Sequence, residues 1–544
     1  MSLPGLELTE SSVESQYVPP PPTQINLRPG CEWRFEIAFG ATVRVKLLSG
    51  TAELFGTELA QSQTYTFTGT KAAIFTWHGC TLEVAAGETI PLPPGFAPGG
   101  AASNGADNTA TGRGYGAGGC QSEYVAEDTP MTEYANVHFA LETMRLEAQN
   151  GGKDGPRVLI LGPENAGKTS LAKILTSYAT KSGRQPIVVN LDPTEGMLSV
   201  PGSLTATAFR TMIDVEQGWG SSPMSGPSPV PVKLPLVYFY PMQSPLDGDG
   251  NVYKPIVSRL GLSVTARMAE DEDAREAGII VDTPGILGQG TDKALELINH
   301  IVTEFSISVI LVVGSERLYS SMVKNYDQKP TSSASATHSD ERILVVKLTK
   351  SGGCVDRDAA FMKALQDAQI RTYFFGNALS STASPSMYSL SGSSTSNGIT
   401  LSPHTQQLDY RSLTLYNYAS GADSLAEDED EEEYDPARLT TSADFPLPST
   451  EPSSGTADET LLQKLPSPGP IPQLSNTLIA ITHAAPNAPL NEIRDASIMG
   501  FIYVADVDAE KSRLRVLAPL VGRIPAKALV WGKKWPGEVI GLVG

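Results

Sequence analysis

Short apolar runs alternate with polar positions near the start of the chain. Between Gln24 and Val84 the runs "WRFEIAFG", "TVRVKLLSG", "TYTFTGT" and "AAIFTWHG" are separated by turns that contain glycine. Alternation of this kind, interrupted by turn residues every few positions, is typical of half-buried β-strands. The pattern predicts a small all-β module over this part of the chain.

The pattern changes to a helical spacing further along. Apolar residues recur every three or four positions from Tyr134 to Ala148, which predicts an amphipathic helix over Thr132–Asn150. Unbroken apolar runs such as "RVLIL", "PIVVNLD", "LPLVYFY", "AGIIVD", "SVILVVG" and "RILVVKL" then alternate with helical segments. Apolar runs followed by helices indicate a parallel sheet that is covered on both faces.

Three segments are poor in large apolar residues. They are the Gly- and Ala-rich Pro91–Gly119 and the Ser- and Pro-rich Ser380–Pro403 and Asp423–Ser467. We expect none of them to form a core, and we interpret the acidic run Glu427–Asp435 as a solvated loop. Beyond them, alternation within 498–532 predicts a small β-rich C-terminal domain.

The stretch "GPENAGKTS" lies between the run "RVLIL" and a predicted helix from Lys168 to about Ser182. It matches the phosphate-loop pattern G-x-x-x-x-G-K-[ST] in the strand–loop–helix context that the motif requires. Backbone N–H groups and the helix N-terminus can hold phosphates there. Lys168 would reach the β- and γ-phosphates, and Thr169 would ligate Mg²⁺. The alternative interpretation of the stretch is a glycine-rich turn that binds no ligand.

Two aspartates end predicted strands of the same sheet. Asp192 follows "VVNL" and Asp282 follows "IIV", so both should emerge beside the phosphate loop. Each is a candidate metal-side carboxylate or general base, or otherwise the cap of a turn. "VDTPG" also resembles the DxxG of GTPases, which keeps a nucleotide switch as a third hypothesis. No guanine-specific NKxD-like motif follows, and this favours ATP.

Together these features predict an α/β protein in which β-rich domains flank a central P-loop NTPase domain with a parallel sheet. The predicted domains are 1–125, which includes the Gly/Ala-rich insertion, 126–376, which binds ATP, and 377–544, which includes the other two insertions. A chain of 544 residues is long enough for three cores.

Charge and cysteine content argue against a basic nucleic-acid-binding protein, a zinc protein and a disulfide-stabilised protein. Forty Lys and Arg against sixty Asp and Glu give a net charge of -20, which argues against wrapping nucleic acid with a general basic surface. Cys31, Cys80, Cys120 and Cys354 form no CxxC pair, so neither zinc nor a disulfide framework is indicated. No signal peptide or membrane span is apparent, and we expect a soluble protein of the cytosol or nucleus.

Seven motifs, taken in order, resemble the RNA 5'-hydroxyl polynucleotide kinase family. The likeness is greatest to its fungal branch of mRNA cleavage and polyadenylation factor subunits. It covers the N-terminal module, the central domain and, less specifically, the C-terminal domain. The motifs are "GCEWRFEI", "GTAELFGTEL", "TGTKAAIFTWHGC", "GPENAGKTSLAKIL", "VNLDPTEGMLSVPG", "GSERLY" and "KLTKSGGCVDRDAAF".

The resemblance implies that the N-terminal domain packs over ATP, with Glu32 and Lys71 near the adenine. By pattern alone, both would be read as ordinary surface residues. The phosphate-loop motif itself implies Mg²⁺, with Thr169 as a ligand and Asp192 and Asp282 as candidate metal-side carboxylates. The phosphate-loop residues that the resemblance assigns to ATP are Asn165, Ala166, Gly167, Lys168, Thr169 and Ser170.

Active kinases of that family surround the phosphates with a cationic lid, in the helix after "SGG", and with an aromatic clasp. The chain departs from them at both elements. Where those members carry lid arginines this chain has Met362, Gln366 and Gln369, and Ile286 replaces a clasp tryptophan. The basic residues left in the lid segment are Arg357, Lys363 and Arg371.

These departures favour an ATP-binding scaffold subunit of pre-mRNA 3'-end processing that does not turn ATP over. The alternative is an active polynucleotide 5'-hydroxyl kinase with Asp192 as its base. The resemblance further implies a nuclear protein that binds the scaffold subunit of cleavage factor IA through its central domain. We expect other 3'-end processing proteins to be partners as well. RNA would be contacted mainly through the complex, and no contact with a membrane is expected.

Overall fold

The structure is a computed structural model. It describes residues 21–87, 116–220, 235–331, 342–376, 401–418, 462–465, 471–519, 521–533, 535–539 and 542. Most of the Gly/Ala-rich and Ser/Pro-rich segments and all of the acidic run 427–435 lie outside these residues. Within the described part, no helix combines the length and the apolar character needed to cross a membrane.

Two antiparallel sheets form the N-terminal domain and enclose a core that includes Trp33, Phe35 and Leu82. One sheet has the order β1-β8-β3-β6 and the other β5-β4-β7-β2-β9. The last strand lies beyond the Gly/Ala-rich segment and pairs with β2, which the sequence pattern did not predict. The strands are β1 Thr23–Leu27, β2 Glu32–Glu36, β3 Val43–Gly50, β4 Glu53–Leu54, β5 Thr57–Glu58, β6 Thr64–Phe67, β7 Lys71–Phe75, β8 Cys80–Ala86 and β9 Ser122–Ala126.

A seven-stranded sheet flanked by helices forms the central domain, in the order β13-β12-β11-β14-β10-β15-β16. Its strands are β10 Arg157–Leu161, β11 Ile187–Asn190, β12 Ser203–Ala208, β13 Leu236–Phe239, β14 Ile279–Asp282, β15 Val309–Val313 and β16 Leu344–Leu348. Its helices are α1 Met131–Gly151, α2 Lys168–Lys181, α3 Tyr253–Glu270, α4 Glu272–Ala277, α5 Asp292–Glu304, α6 Glu316–Tyr326 and α7 Ala359–Phe375.

The α/β class and the β-rich flanks are as predicted, but the central sheet is mixed. Strands β11, β14, β10, β15 and β16 pair in parallel. Strand β12 pairs antiparallel with both β11 and β13. It follows β11 through a loop without a helix, and parallel neighbours are usually joined by a helical crossover, so this connection favours antiparallel pairing.

Two helical features also differ from the pattern. The sequence predicts one helix near "YKPIVSRLGLSVTARMAEDEDA", but Asp271 divides it into α3 and α4. The extended backbone of Asp271 ends α3, and its side chain accepts a hydrogen bond from the Ala274 amide. Such an acceptor is a normal helix N-cap. Helix α6 was not predicted from the sequence at all.

A second seven-stranded sheet forms the C-terminal domain, in the order β17-β22-β21-β20-β23-β18-β19. Leu462 on β19 is buried, so the prediction that Asp423–Ser467 contributes nothing to a core is wrong at 462–464. The elements are β17 His404–Asp409, β18 Thr414–Tyr418, β19 Leu462–Lys464, β20 Thr477–Thr482, α8 Leu490–Arg494, β21 Ile498–Asp508, β22 Arg513–Ala518 and β23 Ala528–Trp531.

The N-terminal domain is fixed to the central domain along α2. The buried Tyr178 hydroxyl donates a hydrogen bond to the Glu53 carboxylate, and the hydroxyls of Thr57 and Ser177 lie 3.2 Å apart. Because buried polar groups are costly to leave unpaired, these bonds define one relative position of the two domains. The nucleotide-sized cavity described below lies in the angle between them.

Candidate functional site

The loop between β10 and α2 has the backbone shape of an anion-binding turn. Asn165 and Gly167 both have positive φ, at 54° and 87°, a conformation that is uncommon for residues other than glycine. Gly167 is also the N-cap of α2 and offers no side-chain oxygen, so the first amides of the helix remain for a ligand. A Cβ built on Gly167 would lie 2.5 Å from the Cys354 Sγ, which shows how closely the loop is packed.

Lys168 is 7% exposed, and its Nζ donates a 2.8 Å hydrogen bond to the Pro163 carbonyl across the loop. Burial lowers the pKa of this ammonium, and the carboxylates of Asp282 and Asp192 oppose that effect. A buried cation held among carboxylates at a helix N-terminus is suited to bind phosphate.

Thr169 and Asp282 form the expected metal-side pair. The Thr169 Oγ1 donates a 2.6 Å hydrogen bond to the Asp282 Oδ2. Asp282 is 1% exposed, and its burial raises the pKa of the carboxyl to about 7. A hydroxyl beside a carboxylate at the end of β14 provides the hard oxygen atoms that Mg²⁺ prefers.

Asp192 lies just beyond β11 and faces the same cavity. Its Oδ1 accepts hydrogen bonds from the Thr194 amide at 2.9 Å and the Thr194 hydroxyl at 2.6 Å. Burial raises the pKa of this carboxyl, and the nearby Glu195 raises it further. Asp192 Oδ1 therefore caps the next turn, which is the alternative role that the sequence left open. The side chain nevertheless also lines the cavity.

A cavity of about 780 Å³ lies between the N-terminal and central domains and extends to the C-terminal domain. The predicted residues that line it are Glu32, Lys71, Asn165, Ala166, Gly167, Lys168, Thr169, Ser170 and Asp192. Asp282 does not line the cavity itself, but it accepts a hydrogen bond from Thr169, which does. The structure thus brings all the predicted ATP and metal residues to one place, although their individual roles stay predictions.

The two N-terminal residues have defined partners. Glu32 is buried, pairs with Arg34 and accepts a 3.0 Å hydrogen bond from Thr129. Lys71 lies 3.0 Å from the Glu36 carboxylate, at the wall of the cavity. Both side chains are held in place, and are not free surface groups as pattern alone would suggest.

The lid segment places Arg357 and several residues that are not arginines along the cavity. Met362, Lys363, Gln366 and the clasp-position Ile286 all line it. Gln366 Nε2 donates to the Thr194 carbonyl at 3.0 Å, and Gln369 Oε1 accepts from the Gly196 amide at 3.1 Å. The glutamines therefore tie α7 to the loop after β11. Arg371 is not among the lining residues, and its guanidinium lies over the Phe375 ring.

Trp535 and Glu195 are among the lining residues that the sequence did not predict. Trp535, from the C-terminal domain, lines the cavity and donates a 3.0 Å hydrogen bond to the Pro193 carbonyl. Glu195 forms a 2.5 Å ion pair with Arg357. Glu195 lies in the conspicuous motif "VNLDPTEG" and could have been considered, but no local signal pointed to Trp535.

Three family models match successive parts of the chain. Residues 26–148 match the N-terminal beta-sandwich domain of polyadenylation factor, and residues 162–376 match the mRNA cleavage and polyadenylation factor CLP1 P-loop. Residues 401–537 match the pre-mRNA cleavage complex II protein Clp1. The chain belongs to the Clp1 family of mRNA cleavage and polyadenylation factors. This confirms the family resemblance, from which alone Glu32 and Lys71 were predicted to lie near the adenine.

Curated Clp1 relatives align over their full length. The chain is 68% identical to the mRNA cleavage and polyadenylation factor clp1 of Neosartorya fischeri, with all of both chains covered. It is 66% identical to that of Aspergillus oryzae and 62% identical to that of Coccidioides immitis, again over all of both chains.

Solved Clp1 structures share the fold. A wild-type Clp1p–Pcf11p complex is 26% identical with a TM-score of 0.68, covering 94% of this chain and 97% of that one. A second, at 25% identity and the same TM-score and coverage, concerns an extended Pcf11p–Clp1p interface and the loss of ATP in a point mutant of glycine to arginine. The match spans all three domains around the cavity.

Proposed function

We propose that this chain is the ATP-binding scaffold subunit of the pre-mRNA 3'-end cleavage and polyadenylation machinery, and that it holds ATP as a structural ligand. The observation that carries the proposal is the cavity in which the phosphate loop of one domain faces Glu32 and Lys71 of another. A ligand that contacts both domains stabilises their association because it binds only when they are together.

The donors present fit ATP·Mg²⁺. The turn at Asn165 and Gly167, the first amides of α2 and the buried Lys168 would hold the phosphates. The hydroxyl of Thr169 and the carboxylate of Asp282 would hold Mg²⁺, which would lower the negative charge on the phosphates. A cavity of about 780 Å³ has the size of a cofactor site.

Absence of turnover is supported by the lid. Phosphoryl transfer depends on cations placed around the transferred group, and an arginine there can contribute about 10³–10⁵ in rate. Gln366 and Gln369 supply no positive charge and are committed to the loop at Thr194 and Gly196. Ile286, at the place of the clasp tryptophan, lines the cavity as an aliphatic side chain.

Thermal unfolding with and without ATP·Mg²⁺ tests the structural role. At a thousandfold excess over the dissociation constant a ligand stabilises the folded state by about 4 kcal/mol, so we expect ATP to raise the melting temperature of the wild type by several degrees. Lys168→Ala should abolish that rise. Lys324→Ala, at an exposed position of α6, is the control and should keep it. If ATP does not change the melting temperature of the wild type, the proposal is contradicted.

The kinase remains the second candidate because Lys168, Asp192 and Arg357 all line the cavity. Purified wild type is incubated with radiolabelled ATP·Mg²⁺ and a 5'-hydroxyl RNA oligonucleotide. We expect no labelled RNA. Labelling that disappears in Lys168→Ala would establish the kinase instead.

We also propose that the chain acts in the nucleus and binds the counterpart of Pcf11p, the partner in the solved complexes of its relatives. RNA would then be reached mainly through the complex, in keeping with the net charge of -20. Co-purification of the full chain with that subunit tests this, and Lys168→Ala should weaken it. Failure of the wild type to co-purify would contradict the assignment.

A further inference from the structure

An ion pair lies across the phosphate end of the cavity. Arg357 Nη2 is 2.5 Å from Glu195 Oε1, and both side chains line the cavity while remaining only partly exposed, at 30% and 21%. Arg357 Nε also donates to Asn165 Oδ1, at 3.3 Å. The guanidinium therefore rests on the phosphate loop, three residues before Lys168.

The pairing occupies one particular edge of the guanidinium. Nε and the adjacent Nη2 form the edge that binds a carboxylate or phosphate with two parallel hydrogen bonds. Here Nε is bonded to Asn165 and Nη2 to Glu195. The edge best suited to a terminal phosphate is therefore occupied by groups of the protein itself.

The loop that carries Glu195 is held on both sides. Its carbonyls at Pro193 and Thr194 accept hydrogen bonds from Trp535 and Gln366, and the Gly196 amide donates to Gln369. The carboxylate is thus presented to Arg357 by contacts from α7 and from the C-terminal domain. Its position is a consequence of tertiary structure and not of a mobile side chain on a free loop.

Two opposing effects decide what Glu195 does to a nucleotide. Its bond to Arg357 orders that side chain, which is worth less than about tenfold in affinity for any ligand. Its charge cancels that of Arg357, and a unit charge within about 6 Å of a phosphate changes affinity on the order of a hundredfold at an effective dielectric constant near 20. Charge cancellation is therefore the larger effect.

We propose that Glu195 is a specificity-determining residue that withholds Arg357 from the terminal phosphate and so limits the preference of the cavity for a nucleoside triphosphate over a diphosphate. The inference rests on the proposed function, in which this cavity holds ATP. It adds that the lid of this chain is weakened by a carboxylate as well as by its missing arginines.

Calorimetric titration with ATP·Mg²⁺ and with ADP·Mg²⁺ tests the inference. Glu195→Gln should tighten ATP binding about tenfold relative to ADP, because the charge of Arg357 becomes available to the extra phosphate. Glu272→Gln is the matched control, since it removes the same charge and an arginine partner, Arg275, from the exposed surface of α4. It should leave the ATP-to-ADP ratio unchanged.

A double-mutant cycle shows whether Glu195 acts through Arg357. The gain from Glu195→Gln should be clearly smaller in the Arg357→Gln background. Equal gains in both backgrounds, no gain, or a loss of ATP preference each overturn the proposal. Glu195→Ala serves as a second variant if Glu195→Gln does not fold, as judged by thermal unfolding without nucleotide. A wild type that binds neither nucleotide refutes the proposed function instead.

Discussion

The indole Nε1 of Trp535 donates a 3.0 Å hydrogen bond to the carbonyl oxygen of Pro193, 342 residues earlier in the chain. Pro193 is the residue next to Asp192, and Trp535 also lines the cavity. The C-terminal domain is thereby linked directly to the loop that presents Asp192 and Glu195. Nucleotide binding and the stability of the C-terminal contact should therefore depend on each other.

Trp535→Phe should weaken both ATP binding and the folded state. The substitution keeps an aromatic ring but removes one of the two donors to the buried Pro193 carbonyl, which also accepts a 2.9 Å hydrogen bond from the Gly202 amide. The loss of this one hydrogen bond should cost about 0.5–1.5 kcal/mol. Melting temperature and the ATP dissociation constant measure the two effects. A variant that melts and binds ATP like the wild type would show that the hydrogen bond is dispensable.

Trp531→Phe is the matched control for that experiment. Trp531 is 2% exposed, and among the described residues its Nε1 has no hydrogen-bond partner. Both substitutions remove the same ring volume, so the difference between them isolates the hydrogen bond of Trp535. We expect Trp531→Phe to lose less stability than Trp535→Phe and to bind ATP normally.

How far the sequence predicted the site depends on whether the information was local. Lys168 and Thr169 were predicted because a strand, a glycine turn and a helix follow one another directly, and Asp282 because it ends a buried strand. Glu32 came only from the family resemblance, since its own strand pattern predicts a surface residue. Trp535 gave no signal, because its role arises from the docking of a distant domain.

The same distinction explains the errors in the fold. Strand β12 was missed, and with it the mixed character of the sheet, because "SLTATA" is short and carries few large apolar residues. Strand β19 was missed because three residues in a Ser- and Pro-rich context show no periodicity. Such short strands are stabilised by their neighbours in the sheet more than by their own pattern.

Met362 and Gln366, which line the cavity at positions where active kinases of the family carry lid arginines, should respond differently to arginine. Met362 lines the cavity and is half-buried, so Met362→Arg places a cation near the phosphates. We expect tighter ATP binding, by up to about tenfold, with no fall in melting temperature. Titration calorimetry and thermal unfolding provide the measurements.

Gln366→Arg should instead destabilise the protein. Gln366 is 8% exposed and donates to the Thr194 carbonyl, so a longer charged side chain both breaks that bond and buries a charge, at a cost of about 1–3 kcal/mol or more. If both arginine variants bind ATP more tightly and melt like the wild type, the glutamine has no structural role in the loop.

A buried histidine on α1 makes stability depend on pH. His138 is 7% exposed, and its Nδ1 has no hydrogen-bond partner among the described residues. Burial and, to a smaller extent, the nearby Arg145 lower its pKa from 6.5 to about 4, and Glu142 opposes them. The unfolded chain therefore binds the proton more readily than the folded one.

The sign of the effect follows from that difference. A histidine whose folded pKa lies below its unfolded pKa contributes stability that is present above the unfolded value and is lost as pH falls toward about 4, at no more than about 1.4 kcal/mol per pH unit. We expect His138→Gln to show a smaller fall in melting temperature between about pH 7 and about pH 5 than the wild type. His404→Gln, at an exposed position of β17, should retain the wild-type fall. If the two variants lose stability equally over that range, the acid sensitivity arises from groups other than His138.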